Sequence, residues 1–313
     1  MAPPIHLAFL WHMHQPSYRE PESGAIALPW VRLHATRSYY DMAWLLDRHP
    51  DIQATFNFVP VLVEQLESYL AGERDRYFTL TQRPAEALDA AERRFLLKHF
   101  FSVAQETEIR PRTRYWSLLQ RRNEDPEGAR FSAQDLRDLQ TLFNLAWFGF
   151  AARDDFPELA ALEQRGRDFT EADKARILAI QIQVIERVLP LYRRLAARAQ
   201  IEITTTPYYH PILPLLVDSE HAERCQPGRP RPRRFAWPED ARAQVELAVE
   251  AHERVFGEPP AGAWPAEGSV SPEAIGLLAE AGVRWLASDE AQLFGSLHGA
   301  GRSALYAPYR VHG

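Results

Sequence analysis

The chain has 313 residues, 46% of them hydrophobic, and this length suffices for one large α/β domain or two smaller ones. Its formal net charge of −6 gives no global field that attracts nucleic acid or an anionic membrane surface. The single cysteine, Cys225, excludes an internal disulfide framework and any metal site built from several cysteines.

The amino-terminal segment MAPPIHLAFLWHMHQP has no basic region and only a short apolar stretch, so it is not typical of a signal peptide. No window of the sequence approaches the ~18 consecutive apolar residues that a membrane helix needs. The sequence therefore predicts a cytoplasmic protein without a membrane partner, and it does not distinguish a monomer from an oligomer.

Short β-rich runs alternate with longer helical patterns at the start of the chain. Residues 5–14 and 52–60 predict strands, and residues 37–50 and 61–72 predict the helices that follow them. The order of strand, helix, strand and helix is typical of a parallel sheet or of a (β/α) barrel. We therefore expect an α/β fold.

From about residue 84 to residue 198 the pattern is almost entirely helical. Ser132 and Thr170 each precede a helical pattern and have an aspartate three residues further on, as in a capping box. Pro190 is expected to kink or divide the second of these helices. We interpret 84–198 as a helical insertion within one catalytic unit, 1–313, and not as a separate domain bounded by linkers.

The strand pattern returns in the last third of the chain. Runs at 201–209, 261–267 and 283–290 predict strands, and 240–257 predicts an amphipathic helix. A last apolar run at 303–311 is expected to be a strand that no helix follows.

Two histidines one residue apart end the first predicted strand. Because side chains alternate along a strand, His12 and His14 point to the same side. Such a pair is common in metal sites, with His210 or Asp289 as a conceivable third ligand, and it serves equally well to hydrogen-bond sugar hydroxyls. A third interpretation is that backbone groups satisfy both histidines. Asp289 itself suits a catalytic carboxylate, a hydrogen-bond partner in a pocket floor, or a helix cap.

Glu267 ends the short run 261–267, and a turn into a helix start follows it. Carboxyl ends of parallel strands are where such folds bind ligands, and a nearby helix N-terminus keeps a carboxylate ionised, as a nucleophile requires. The alternative is that Glu267 merely caps or precedes the helix. Trp11, Trp30 and Trp264 lie at strand ends or in adjoining loops, where an exposed indole can stack on a sugar ring.

Three segments in order resemble glycoside hydrolase family 57, in particular its α-amylase and amylopullulanase-like members. They are WHMHQP (11–16), IEITTTPYYHPILPLL (201–216) and GAWPAEGSVSPEAIGLLAEAGVRWLASDE (262–290), and the resemblance covers essentially the whole chain. It implies a distorted seven-stranded (β/α) barrel of the glycoside hydrolase/deacetylase type with a large helical insertion. It also implies no metal or other cofactor, and retaining cleavage or transfer of an α-glucan or maltooligosaccharide.

By this resemblance Glu267 matches the catalytic nucleophile, which forms a glycosyl-enzyme. His12, His14, Glu202 and Trp264 match positions that line the sugar site, and His210 lies in the second matching region. The predicted substrate-binding residues are His12, His14, Trp30, Glu202, His210, Trp264 and Asp289.

The family's acid/base aspartate lies in a fourth region, beyond the strand that YAPYRV (306–311) resembles, and nothing up to Gly313 matches that region. We therefore expect the chain to be the amino-terminal catalytic part of a longer enzyme, incomplete at its carboxyl end and poorly active alone. One alternative is a carbohydrate-binding pseudoenzyme without the acid/base. Another is a metal-dependent, polysaccharide deacetylase-like hydrolase with His12, His14 and a carboxylate as ligands. The sequence does not distinguish hydrolysis from transfer, or α-1,4 from α-1,6 selectivity.

Overall fold

The computed structural model of the chain describes residues 7–297, 299, 301–307 and 309. The chain divides into two compact units, each assembled from segments that are separate in sequence. Unit 1 consists of Met1–Pro16, Ala54–Val61 and Glu202–Gly313, and unit 2 of Ser17–Gln53 and Leu62–Ile201. The helical block predicted at 84–198 falls within unit 2.

The expected α/β architecture is confirmed by a mostly parallel five-stranded sheet, within the residues that the structure describes. Its strands are β1 (Leu10–Met13), β2 (Ala54–Phe58), β3 (Ile201–Thr205), β4 (Gly262–Ala263) and β5 (Trp285–Leu286), in that order across the sheet. β1 pairs in parallel with β2, so that His12 lies opposite Asn57. β4 pairs in parallel with both β3 and β5.

All strands are shorter than the β-rich runs that predicted them. The run at 261–267 contains only the two residues of β4, because the chain turns at Pro265. Residues 5 and 6 of the first run lie outside the described part. In the last run the structure corrects the prediction, since Arg302–Tyr306 is a 3-10 helix and not a strand. Residues 308, 310 and 311 of that run lie outside the described part.

Helices make up most of the remaining chain. In chain order the α-helices are α1 (Trp30–His34), α2 (Tyr40–Asp47), α3 (Pro60–Leu70), α4 (Arg76–Gln82), α5 (Ala90–His99), α6 (Thr113–Glu124), α7 (Ala133–Ala146), α8 (Phe150–Asp155), α9 (Pro157–Arg165), α10 (Glu171–Ala197), α11 (Leu213–Val217), α12 (Ala222–Cys225), α13 (Pro238–Phe256), α14 (Pro272–Glu280) and α15 (Glu290–Ser296). In the described part of the chain, no helix is both long enough and apolar enough to cross a membrane.

The two predicted capping boxes are confirmed at the starts of α7 and α10. Ser132 and Thr170 each accept a hydrogen bond from the backbone three residues on, and the aspartate there bonds back to the cap. Pro190 was expected to kink or divide the second helix, and division is wrong because α10 runs from Glu171 to Ala197 with Pro190 inside it. Pro190 is exposed, so water can hydrate the carbonyl left without a partner, while the buried face of α10 holds the helix in place.

The helix predicted at 37–50 begins earlier than its pattern indicates. It starts with α1, passes through a π-helical segment at Ala35–Tyr39 and continues as α2. Trp30 is therefore the first residue of a helix and not part of a loop, and its ring lies 5.7 Å from that of Trp147.

The core of unit 2 contains a fully buried ion pair between Arg32 and Asp75. The guanidinium donates two hydrogen bonds to the carboxylate, at 2.7 and 3.1 Å, and others to Asn144 at 3.0 Å and Gln181 at 2.6 Å. Burial alone lowers the pKa of Arg32, but the charge of Asp75 and its hydrogen bonds raise it above its ordinary value. The guanidinium of Arg32 therefore stays charged inside the protein.

A second buried acid of unit 2 carries a proton under mildly acidic conditions. Asp41 lies on α2, is 8% exposed and accepts a hydrogen bond of 3.0 Å from the backbone N–H of Ala151 at the start of α8. Burial raises the pKa of Asp41 from 3.8 to about 6, and the backbone donors and Arg37 offset only part of that rise. An unfolded chain loses this proton at a lower pH.

We expect Asp41→Asn to change how stability depends on pH. Between the unfolded pKa of 3.8 and the folded pKa of about 6, the folded protein holds a proton that the unfolded chain has released. The contribution of Asp41 to the free energy of unfolding therefore falls as pH rises through that window. Urea unfolding measured at several pH values from 3.8 upwards should show the variant gaining stability relative to the wild type up to about pH 6. Above that pH the difference in the free energy of unfolding should be constant. Parallel curves throughout would contradict the assignment.

Candidate active site

Three imidazole rings meet at the carboxyl end of β1. As strand alternation predicts, His12 and His14 lie on the same side, with ring centroids 5.6 Å apart. His210 joins them, 5.1 Å from His12 and 4.1 Å from His14, and its ring stacks on that of His14 at 19°. We call His12, His14 and His210 the histidine cluster. One nitrogen of each ring lies within 4.8 Å of the corresponding nitrogens of the other two.

His210 reaches the cluster through a tight turn after β3. Its backbone N–H donates to the carbonyl of Pro207 at 2.8 Å, and its φ is +60°, in the left-handed region. That conformation costs a residue with a Cβ about 1–2 kcal/mol. The Nε2 atom of His210 is buried, and among the described residues no atom hydrogen-bonds to it.

Asn57 on β2 sets the orientation of His12. Its side-chain N–H donates to the carbonyl of Thr205 at 2.6 Å and to the hydroxyl of Thr204 at 3.1 Å, so its oxygen faces the other way. That oxygen lies 2.7 Å from Nδ1 of His12. Nδ1 must therefore carry the proton and donate, which leaves the lone pair of Nε2 available to a ligand.

The three histidines favour the neutral state. Burial, together with the neighbouring imidazoles of His14 and His12, lowers the pKa of His210 from 6.5 to about 4. Desolvation also lowers the pKa values of His12 and His14, while the charge of Glu267 acts in the opposite direction on both. Near neutral pH the cluster thus offers hydrogen-bond acceptors and metal ligands rather than positive charge.

Trp264 follows β4 and lies beside the cluster. Its backbone N–H donates to the carbonyl of Thr205 at 2.9 Å, and its carbonyl accepts from the hydroxyl of Thr206 at 2.5 Å. These bonds fix the backbone, and the half-buried indole lies 5.9 Å from the ring of His12 at an angle of 31°.

Glu267 lies in the turn that begins at Pro265. The turn closes with a hydrogen bond of 2.8 Å from the N–H of Gly268 to the carbonyl of Pro265. Glu267 itself has φ +55° and ψ +21°, and its side chain is exposed. The helix that follows is capped by Ser271, whose hydroxyl accepts from the N–H of Ala274. Glu267 is therefore not the cap of that helix.

Two residues of this site have strained backbone conformations. In the described part of the chain, the residues other than glycine with positive φ are Asp168, Ala199, His210 and Glu267. Two of these four are candidate site residues. Unfavourable backbone conformations persist where the surrounding structure imposes them, and they cluster at functional sites.

Glu202 and Asp289 have other partners. Glu202 lies near the start of β3 and accepts a hydrogen bond of 2.9 Å from the indole N–H of Trp285. The indole of Trp285 packs against Gly262 of β4, where an added Cβ would lie 2.1 Å from the ring. Asp289 caps α15 by accepting from the N–H of Ala291 at 2.8 Å, which is one of the roles that its sequence context allowed. The described contacts do not bring either carboxylate to the histidine cluster.

Sequence reasoning missed Asn57 and Thr206, which hold the site in place. Asn57 is fully buried in the β-rich run ATFNF, and a polar amide inside such a run indicates a specific hydrogen-bond partner. Thr206 is the last of three threonines after β3 begins, and a run of threonines is ordinary in a strand. Only the amide could have been identified from the sequence.

Comparison with known proteins gives one family. The model of glycosyl hydrolase family 57 matches residues 8–313. The comparison with curated proteins finds no match.

Several solved structures are similar to this chain. An α-amylase from Thermotoga maritima is 15% identical, with a TM-score of 0.46 over 90% of this chain and 39% of that chain. A family 57 branching enzyme from Thermococcus kodakaraensis is 16% identical, with a TM-score of 0.44 over 89% of this chain and 38% of the enzyme. A 4-α-glucanotransferase from Thermococcus litoralis is 16% identical, with a TM-score of 0.43 over 96% of this chain and 25% of the enzyme. This chain therefore spans less than half the length of each.

Proposed function

Because the chain belongs to glycosyl hydrolase family 57, we propose that it acts on α-glucans as a retaining glycoside hydrolase or glucanotransferase, with Glu267 as the nucleophile. One observation supports this assignment: Glu267 lies in a strained turn, and its charge raises the pKa values of both His12 and His14. The names of the similar enzymes, an amylase, a branching enzyme and a glucanotransferase, agree with this substrate class.

In the proposed reaction, a carboxylate oxygen of Glu267 attacks the anomeric carbon of a glucose unit. The bond from that carbon to the leaving oxygen breaks, and an acid protonates the leaving oxygen. Water or an acceptor sugar then releases the glycosyl unit from Glu267, so two inversions give net retention. The acid/base has to lie about 5–5.5 Å from the nucleophile. No contact among the described residues places a second carboxylate at that distance. The acid/base is therefore still predicted to be an aspartate of the family's fourth region.

The histidine cluster is proposed to hold the reacting sugar. Nε2 of His12 offers a lone pair that Asn57 keeps oriented, and the buried Nε2 of His210 needs a partner. Sugar hydroxyls donate hydrogen bonds to both atoms, and such bonds strengthen as positive charge develops on the ring. Trp264 supplies an aromatic face beside them.

The remaining sequence-based assignments are kept as proposals. Trp30 is proposed as a sugar contact, and Glu202 and Asp289 as substrate contacts, although each has the partners described above. A seven-stranded barrel that contains the five described strands, with the insertion at 84–198, is proposed on the family resemblance. None of these is needed for the nucleophile assignment.

The proposed function is tested by incubating the purified chain with maltoheptaose. Because the acid/base is expected outside this chain, we expect only slow formation of new maltooligosaccharides, whose first-formed anomers have the α configuration by NMR. A 5-fluoroglucosyl fluoride has a leaving group that needs no acid, so it should still give a glycosyl adduct on the peptide that contains Glu267. Binding of maltoheptaose without product or adduct would instead favour the carbohydrate-binding pseudoenzyme. Absence of both binding and turnover would overturn the α-glucan assignment.

A further inference from the structure

The histidine cluster meets the requirements of a metal site as well as those of a sugar site. His12, His14 and His210 come from two strand ends, and one ring nitrogen of each lies within 4.8 Å of the others. Around a tetrahedral Zn²⁺ ion, with bonds of about 2.0–2.1 Å, ligand nitrogens lie roughly 3.3 Å apart. Imidazole movements on the order of 1 Å close that gap.

The surroundings of His12 are those of a metal ligand. Its Nδ1 donates to the side-chain oxygen of Asn57, and Asn57 is itself anchored by Thr204 and Thr205 on β3. A histidine that binds a metal through one nitrogen usually donates its other N–H to such an oxygen, which fixes the tautomer and the orientation of the ring. Asn57 therefore directs Nε2 of His12 towards a ligand.

His210 supplies a second, independent observation. Its Nε2 is buried without a hydrogen-bond partner among the described residues. A buried polar atom of this kind destabilises the protein unless a ligand satisfies it. The backbone of His210 is also left-handed, a conformation that is uncommon for residues other than glycine.

We propose that His12, His14 and His210 bind one divalent transition-metal ion of the zinc type, which prefers imidazole nitrogen. The ion occupies the position of the sugar hydroxyls, so metal and α-glucan compete for the same nitrogens. The competition between metal and α-glucan rests on the proposed function, whereas the metal site itself does not. Zn²⁺ then inhibits the glucan reaction, and removal of the ion by a chelator restores it.

The test is calorimetric titration of the full chain, freed of metal with a chelator, by ZnCl₂ alone. We expect one ion per chain in the wild type and, in His210→Asn, an affinity lower by on the order of 100-fold. Asparagine tolerates the left-handed backbone, so this variant keeps the turn. His14→Gln should show a similar loss. His49→Gln replaces an exposed histidine outside the cluster and should bind like the wild type.

Two further measurements separate the metal site from the proposed function. X-ray absorption at the zinc edge should show three imidazole nitrogens at about 2.0–2.1 Å. Saturating maltoheptaose should weaken Zn²⁺ binding at least about tenfold if the two ligands share the cluster. Binding that survives in His210→Asn and His14→Gln, or that is lost equally in His49→Gln, overturns the metal site. Binding that depends on the cluster but is unaffected by maltoheptaose keeps the metal site and removes the sugar assignment. Activation of the glucan reaction by Zn²⁺ overturns the competition.

Discussion

Replacing the proposed nucleophile Glu267 by glutamine is expected to lower kcat for maltooligosaccharide cleavage by at least about 10³-fold, as losses of catalytic nucleophiles do. The amide has nearly the same shape as the carboxylate, but it does not attack the anomeric carbon. The exposed side chain contributes little packing, so the variant should fold and melt like the wild type. Steady-state kinetics on maltoheptaose, together with thermal unfolding, check both expectations.

A matched control variant shows whether the loss of kcat is specific to Glu267. Glu250→Gln removes an exposed carboxylate from α13, in the same unit, and should leave kcat within about twofold. Glu267→Gln should still bind maltoheptaose with nearly the wild-type Kd, because the histidine cluster and Trp264 are unchanged. If Glu267→Gln kept more than a tenth of the wild-type kcat, the nucleophile assignment would be wrong.

Replacing Arg32 by methionine is expected to reduce the free energy of unfolding by about 3–5 kcal/mol. Methionine fills much of the volume of the arginine side chain, but it leaves the Asp75 carboxylate fully buried without a positive partner. The hydroxyl of Tyr69 and the N–H of Phe78 still donate to that carboxylate, at 2.8 Å each, and they do not neutralise it. Urea unfolding followed by circular dichroism measures the loss.

A second substitution shows whether the unpaired charge causes this loss. In Arg32→Met with Asp75→Asn the buried group is neutral, and asparagine still caps α4 through its side-chain oxygen. The double variant should therefore be more stable than Arg32→Met alone. Arg110→Met breaks an exposed pair with Glu106 and should cost less than about 1 kcal/mol. A loss in Arg32→Met no larger than in Arg110→Met would contradict the argument.

Much of the site could be predicted from the sequence because it depends on local rules. Alternation along β1 places His12 and His14 on one side, whatever the rest of the chain does. The Ser132 and Thr170 caps are likewise visible in a four-residue window. Glu267 could be selected because it ends a β-rich run just before a helix start, although it lies in the turn after β4 and its left-handed conformation has no local signature.

The rest depends on contacts between segments far apart in the chain. Arg32 meets Gln181 across 149 positions, and nothing near either residue indicates the other. The prediction that Trp30 lies at a strand end or in a loop was wrong, because the helix begins before the π-helical segment and not after it. Glu202 was assigned to the sugar site by resemblance alone, whereas its bond to Trp285 depends on the missing side chain of Gly262. Periodicity within one segment does not carry such information.

The left-handed conformations of His210 and Glu267 affect which substitutions directed evolution of this protein should select. Glycine at position 267, and glycine or asparagine at position 210, would release on the order of 1 kcal/mol of strain at each position. A library screened for heat resistance alone should therefore enrich these replacements and discard function as it gains stability. A library selected for growth on starch should keep both original residues and gain its stability elsewhere, at positions such as Pro190.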